Sequence, residues 1–280
     1  ESAERKAAFL EEIGNGLKRG EFELHYQPIV LAREPGKFSL EALMRWRHPR
    51  LGLLAPGQFA EGFEDQAARA ALGMFMLERI FQDVATFRAQ DLPLRRVAMN
   101  LTNSDFRSDV FLDRFFELCA ETGIPPEQFC VEVTEGMFLG LNQKRVGSGL
   151  LRLHQSGVEI ALDDFGTGYA SLTHLRHLPI DRLKIDRSFV ANMATSPEDR
   201  AIIRGVIDIA HSLGKVVTAE GVETVAQVKL LHRMKCDLLQ GWYFSKACPV
   251  ADLAYVLSTM PTVKGHAPHR PATRHADLTH

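Results

Sequence analysis

Cysteine is scarce in this chain and unpatterned. Cys119, Cys130, Cys236 and Cys248 form no C-x-x-C pair and no secretory signal is in view, so reduced thiols in a cytoplasmic setting are expected rather than a disulfide framework. Long apolar runs are missing as well. No stretch approaches the ~20 residues that a membrane-crossing helix needs, and no membrane contact is expected of this segment. An excess of basic charge is also absent: 33 Lys and Arg against 35 Asp and Glu leave a net charge of −2. That balance gives no general attraction to duplex nucleic acid or anionic lipid, so a phosphate ligand has to be caught locally. Internal repeats and low-complexity tracts are lacking, and His25, His48, His154, His174, His177, His211 and His232 show no metal-ligand spacing. The chain begins at Glu1 without a methionine, as a piece of a longer protein carrying other sensory or signalling domains would.

What remains is an apolar fraction of 45% with 24% charged residues over 280 positions, enough to bury a large core. Strand-like runs alternate with segments of helical period. The strand-like runs are Phe38–Trp46, Val97–Thr102, Phe129–Glu135, Val158–Asp164, Arg182–Asp186, Lys215–Val222 and Leu238–Phe244. Helices are expected over Phe59–Gln90, Ser104–Thr122 (capped by Ser104), Gln143–Ser156, Pro197–Leu213, Thr224–Met234 and Val250–Thr259, with Gly157 and Gly214 as stops. About eight such units predict an α/β fold of mostly parallel strands, a modified TIM (β/α)8-type barrel. The single domain is read as residues 1–260, opened by a lead-in helix over Ser2–Arg19, with a disordered tail over Pro261–His280.

Each strand-like run carries one polar group of the same parity: Glu41, Asn100, Glu132, Asp163, Lys184, Glu220 and Gln240. Alternate strand residues point to opposite faces, so a closed barrel gathers these groups at one place. Four carboxylates, two amides and one ammonium converging there describe a metal and phosphate site rather than a core. Carboxylate and carbonyl oxygens are hard ligands suited to Mg²⁺ or Mn²⁺. Asp163 and Asp164, adjacent at one strand end, can serve neighbouring ions. Arg45 shares the parity of Glu41 and offers a forked donor for a phosphate oxygen. Taken singly, each of these residues has a bland structural reading. Their shared parity decides for function.

The motifs carrying these groups are Tyr26-Gln27-Pro28-Ile29-Val30, Glu41-Ala42-Leu43-Met44-Arg45-Trp46, Met99-Asn100-Leu101-Thr102, Val131-Glu132-Val133-Thr134-Glu135, Asp163-Asp164-Phe165-Gly166-Thr167-Gly168-Tyr169, Lys184-Ile185-Asp186, Ala219-Glu220-Gly221-Val222-Glu223 and Gln240-Gly241. In this order, from about Phe22 to Pro249, the chain resembles the EAL-domain family. The resemblance implies a barrel that hydrolyses cyclic di-GMP to the linear dinucleotide with two divalent cations. It implies that Glu41, Asn100, Glu132 and Asp163 hold the first cation, and that Asp163, Asp164 and Glu220 hold or orient the second. Lys184 would orient the attacking water or steady phosphoryl charge, its pKa pushed down by the cations and up by the carboxylates. Glu220 is the better general-base candidate, although metal-bound hydroxide could do the same work. Gln27, Leu43, Arg45 and Gln240 are expected substrate contacts. The resemblance makes the Gly166-Thr167-Gly168 loop, braced by Glu135 and supported by Asp186 and Glu223, the link to a homodimer interface. Calcium is expected to bind and inhibit. One departure stands out: the family's Phe-Ile-Pro-Leu-Ala-Glu-Glu after Pro56 is replaced by Phe59-Ala60-Glu61-Gly62-Phe63-Glu64-Asp65, which disturbs the helix start. Two other readings compete: a receptor of the same fold that binds cyclic di-GMP without cutting it, and an unrelated metal-dependent barrel enzyme acting on small carboxylates.

Overall fold

Eight strands of the computed structural model close on themselves, and one of them runs against both of its neighbours. The structure describes residues 2–34, 36–60, 65–138, 143–166, 175 and 178–263. Chain order begins with α1 (Ser2–Lys18), then β1 (Phe22–Leu31) and β2 (Phe38–His48), which form an antiparallel hairpin. A short β3 (Gly52–Leu54) extends it. Next come α2 (Gln66–Ala89), β4 (Leu94–Asn100), α3 (Val110–Thr122), β5 (Phe129–Thr134), α4 (Gln143–Gln155), β6 (Glu159–Phe165) and β7 (Arg182–Ile185). The chain continues through α5 (Arg187–Asn192), α6 (Pro197–Ser212), β8 (Val216–Ala219), α7 (Val225–Arg233), β9 (Leu238–Gln240), β10 (Cys248–Pro249) and α8 (Val250–Thr259). From β2 through β9 the ladder is parallel, and β1 closes it by pairing antiparallel to β2 and β9. Among the described residues no helix is long and apolar enough to cross a membrane.

Outward strand residues such as Leu40, Met99, Val131, Ile160, Leu183 and Val217 pack with helical Ile80, Phe81, Val146 and Ile207 in the main core. The barrel interior is a separate, smaller packing layer. Ile29, Leu31 and Leu238 form one apolar cluster, and Ala98, Cys130 and Ala161 another. Where β6 and β7 begin, Glu159 is buried between two arginines, with Arg96 Nη1 at 3.0 Å and Arg182 on its other oxygen. Ion pairs and apolar side chains thus fill the barrel at the end opposite the site.

Several element boundaries differ from the sequence reading. The helix expected from Phe59 starts at Gln66, because Asp65 caps it by accepting from Ala68 N–H at 2.9 Å, while Pro56–Phe59 is a 3₁₀ turn. Residues 61–64 of the altered segment lie outside the described residues. The helix expected from Ser104 starts at Val110. Asp105, instead of supporting a cap at Ser104, turns its carboxylate back to Thr102 N–H and Oγ1 at 2.7 and 2.8 Å. β9 stops at Gln240 and β8 stops at Ala219, so Glu220 follows its strand rather than sitting in it. Of the expected tail, Val263 is buried against the core, and residues 264–280 lie outside the described residues.

Replacing Glu159 by Gln leaves two arginines, one of them fully buried, without their counter-charge. Breaking a buried pair in this way costs about 3–5 kcal/mol. The expected outcome is a urea midpoint lowered accordingly with an unchanged slope.

Candidate active site

Register brings the seven polar groups together. Asn100 pairs with Glu132 across β4 and β5, Thr134 with Asp163 across β5 and β6, Lys184 with Thr218 across β7 and β8, and Gln27 with Glu41 across the antiparallel hairpin. At the far side β9 meets β1 with Gln240 opposite Ile29. The chain after β8 then passes Gly241 so closely that a Cβ there would come within 2.2 Å of the Val222 backbone. Glycine is thus required at 241 for Glu220 and Gln240 to face one cavity.

That cavity holds about 260 Å³ and is lined by Gln27, Glu41, Leu43, Asp163, Lys184 and Glu220, together with Glu223 and Gln240. Lys184 Nζ is buried in its wall, 2.5 Å from Glu132 Oε2, 2.7 Å from Glu220 Oε1 and 3.2 Å from Asp163 Oδ1. Glu41 is held from two sides, accepting from Asn100 Nδ2 at 2.9 Å and from Gln240 Nε2 at 2.5 Å. Gln27 extends the amide chain, accepting from Gln240 Nε2 at 3.2 Å and donating to Ser245 O at 3.0 Å.

The charges are unbalanced, and the protonation equilibria show it. Burial opposes the charge on Lys184, but Glu132, Glu41, Glu220 and Asp163 outweigh burial and hold its ammonium well above the usual lysine range. The carboxylates surrounding the amine decide the direction of this shift, which is the upward pull expected of them. Burial pushes Glu132 well above the carboxylate range, aided by Glu41, Asp163 and Glu220 and opposed by Lys184. Burial likewise raises Glu220, to about 7. Glu41 goes the other way: burial would raise it, yet the Lys184 charge and the hydrogen bonds from Gln240 and Asn100 leave it below the usual range.

Asp164 sits at φ 54°, a left-handed conformation uncommon for a residue with a Cβ. Burial, then Asp163 and Asp186, push its carboxyl up. Gly166, at φ 98°, donates its N–H to Glu135 Oε1 at 3.2 Å. Asp186 caps α5 by accepting from Ser188 N–H at 2.9 Å. Thr167 and Gly168 lie outside the described residues. Arg45 keeps the inward parity but spends an N–H on Met44 O at 2.8 Å, and burial lowers its guanidinium pKa against the pull of Glu41. Arg187 and Trp242 also line the cavity. The sequence reading missed both; their adjacency to Asp186 and Gly241 was the available signal.

The donor set was tested against a divalent cation. Among the described residues no three His, Cys, Asp or Glu groups close on one point at metal-ligand spacing; the Lys184 ammonium takes that centre. The chemistry of the set nevertheless fits hard cations. All its acceptors are oxygens, four carboxylates face one ammonium, and Glu132 Oε1 and Gln240 Oε1 are buried without a hydrogen-bond donor.

Comparison with known proteins agrees with this geometry. The family model "EAL domain" matches residues 10–247. The chain is 37% identical over 243 residues to the cyclic di-GMP phosphodiesterase NbdA of Pseudomonas aeruginosa, covering 87% of this chain and 31% of that protein. It thus spans about a third of NbdA's length, and a similar share of several other curated relatives. Among solved structures it superposes on the PaMucR phosphodiesterase in complex with c-di-GMP with a TM-score of 0.81 at 32% identity, covering 88% of this chain and 99% of that one. The EAL enzyme Bd1971, bound to cAMP and cyclic-di-GMP, gives a TM-score of 0.84 at 26% identity, covering 92% and 70%. With its barrel, its motifs and its site in place, the chain belongs to the EAL domain family.

Proposed function

We propose that this chain is a metal-dependent phosphodiesterase that hydrolyses cyclic di-GMP to linear pGpG. The observation that carries the reading is the convergence of Glu41, Asn100, Glu132, Asp163 and Glu220 around Lys184 at one end of the barrel, with Asp164 next to Asp163 in the chain. Loss of any of these carboxylates would favour a receptor that binds without cutting, and all are present. Water attacks phosphorus, one P–O bond to a ribose breaks, and the ring opens to a dinucleotide with a terminal phosphate.

Glu220 is the carboxylate best placed to take the proton of the attacking water, since its side chain is 19% exposed to the cavity whereas that of Glu132 is 0% exposed. Lys184 fixes Glu220 in orientation and lies where a positive charge offsets developing phosphoryl charge. Gln27, Leu43 and Gln240 hold the substrate at the mouth, with Arg45 above them. Glu41, Asn100, Glu132 and Asp163 would hold one Mg²⁺ or Mn²⁺ ion, and Asp163, Asp164 and Glu220 a second. Bound cations supply Lewis-acid polarisation of the phosphate and a more acidic water. The same reading includes a cytoplasmic location and a twofold homodimer using the segment after Phe165.

Purified protein incubated with cyclic di-GMP and Mg²⁺ should yield pGpG on separation of products; intact substrate after prolonged incubation would favour the receptor. Asp163→Asn keeps shape but removes charge, and turnover should fall at least about 10²–10³-fold, the cost of one strong electrostatic stabiliser.

Calcium should bind yet support little hydrolysis. Its ligand distances, about 2.3–2.6 Å, exceed the 2.0–2.1 Å of Mg²⁺, and small misplacements of reacting groups can cost about 10²-fold. Product assays and binding titrations in Mg²⁺, Mn²⁺ and Ca²⁺ check this, with binding retained and turnover lost expected in Ca²⁺.

A further inference from the structure

Two cations line the catalytic cavity, and the chemistry described above uses one of them. The ionisable lining consists of the carboxylates Glu41, Asp163, Glu220 and Glu223 against Lys184 and Arg187. Lys184 is buried and committed to Glu132, Glu220 and Asp163. Arg187 is exposed at the mouth, and among the described residues it forms no ion pair with a carboxylate. The carboxylate next to it in the chain, Asp186, is turned to Ser188 N–H at 2.9 Å.

The place of Arg187 on the rim is fixed by the backbone. The Asp186 cap sets the turn in which Arg187 begins α5. Against this turn lies Gly221, the residue after Glu220. A Cβ on Gly221 would come within 2.5 Å of Arg187 Cβ, and its φ of 65° is left-handed. Glycine at 221 meets both demands, and so the start of α5 presses against the turn that carries Glu220. The Arg187 side chain thus springs from a fixed point beside the carboxylate assigned to the attacking water.

A cyclic dinucleotide carries a negative charge on each of its two phosphodiesters, and hydrolysis engages one of them. The other charge also has to be matched, in a cavity lined mostly by carboxylates. We infer that Arg187 receives the phosphodiester that is not cut, its planar fork meeting two phosphate oxygens, so that this residue favours a cyclic dinucleotide over a substrate with a single phosphate. The inference rests on the cyclic di-GMP reading of the site.

The test uses the full chain with Mg²⁺. It compares kcat and KM for cyclic di-GMP with those for bis(p-nitrophenyl) phosphate, which has one phosphodiester, and follows cyclic di-GMP binding by calorimetry. Arg187→Gln should raise KM for cyclic di-GMP at least about tenfold, the weight of one hydrogen bond to a charged group. Its kcat should stay within about twofold of wild type, as expected when binding common to ground and transition states is lost. Cleavage of bis(p-nitrophenyl) phosphate should be unaffected. Arg187→Lys keeps the charge without the fork and should recover part of the loss. An unchanged KM and affinity in Arg187→Gln overturns the inference. An equal loss on both substrates also overturns it, because Arg187 would then support the site as a whole and not a second phosphate. Wild type that binds cyclic di-GMP without cutting it defeats the hydrolase reading alone, since weaker binding by Arg187→Gln still supports the contact and unchanged binding still overturns it. Wild type that neither binds nor cuts it overturns both.

Discussion

A single buried ammonium holds the site together. Carboxylates are costly to bury without compensation, and Glu41, Glu132, Asp163 and Glu220 meet where the barrel interior gives way to the cavity. Lys184 contacts three of them directly and lowers the pKa of the fourth through its charge. It arrives on β7, one of the shortest barrel strands, in register with Thr218 of β8. With that placement the carboxylates can crowd together; with a neutral side chain there, mutual repulsion would drive them to protonate or part. On the proposed function, the surplus of negative charge that Lys184 leaves uncompensated is what would draw hard cations to the cavity.

The second constraint is the way the barrel closes. An antiparallel β1 lies between β2 and β9, so Gln27 faces Glu41 on one side and its amide meets Gln240 on the other. A chain of amides thereby ties the first carboxylate of the site to its last strand. Below it, the apolar clusters and the Arg96–Glu159–Arg182 ion pairs fill the opposite end of the barrel. Polar chemistry is thus confined to one end of the barrel, where the loops and the open cavity lie.

Two cavities lie side by side at this end of the barrel. The central one is lined by charged groups, Glu41, Asp163, Lys184 and Glu220 among them, whereas its neighbour is mostly apolar, with Arg69, Asn100, Thr102 and Asp105 in its wall. Leu43, a wall of both, sits two residues from Glu41 on the same strand face, so the two cavities are joined through one stretch of β2.

Strand parity was legible in the sequence because it repeats every two residues and needs no knowledge of the partner strand. That is why Glu41, Asn100, Glu132, Asp163, Lys184 and Gln240 could be assigned to one face and the barrel inferred. Helix ends were less legible. Ser104 looked like a cap, but Asp105 found Thr102 first, a choice made between two local hydrogen bonds of similar strength. What the tertiary structure alone decided is who meets whom: that Lys184 lies among carboxylates and its pKa therefore rises, that Gln240 reaches Glu41 across 199 positions, and that Arg69 and Asp105 share a cavity. Those distances are set by closure and register, which depend on the packing of the whole barrel, whereas the parity of each strand is set by its own backbone.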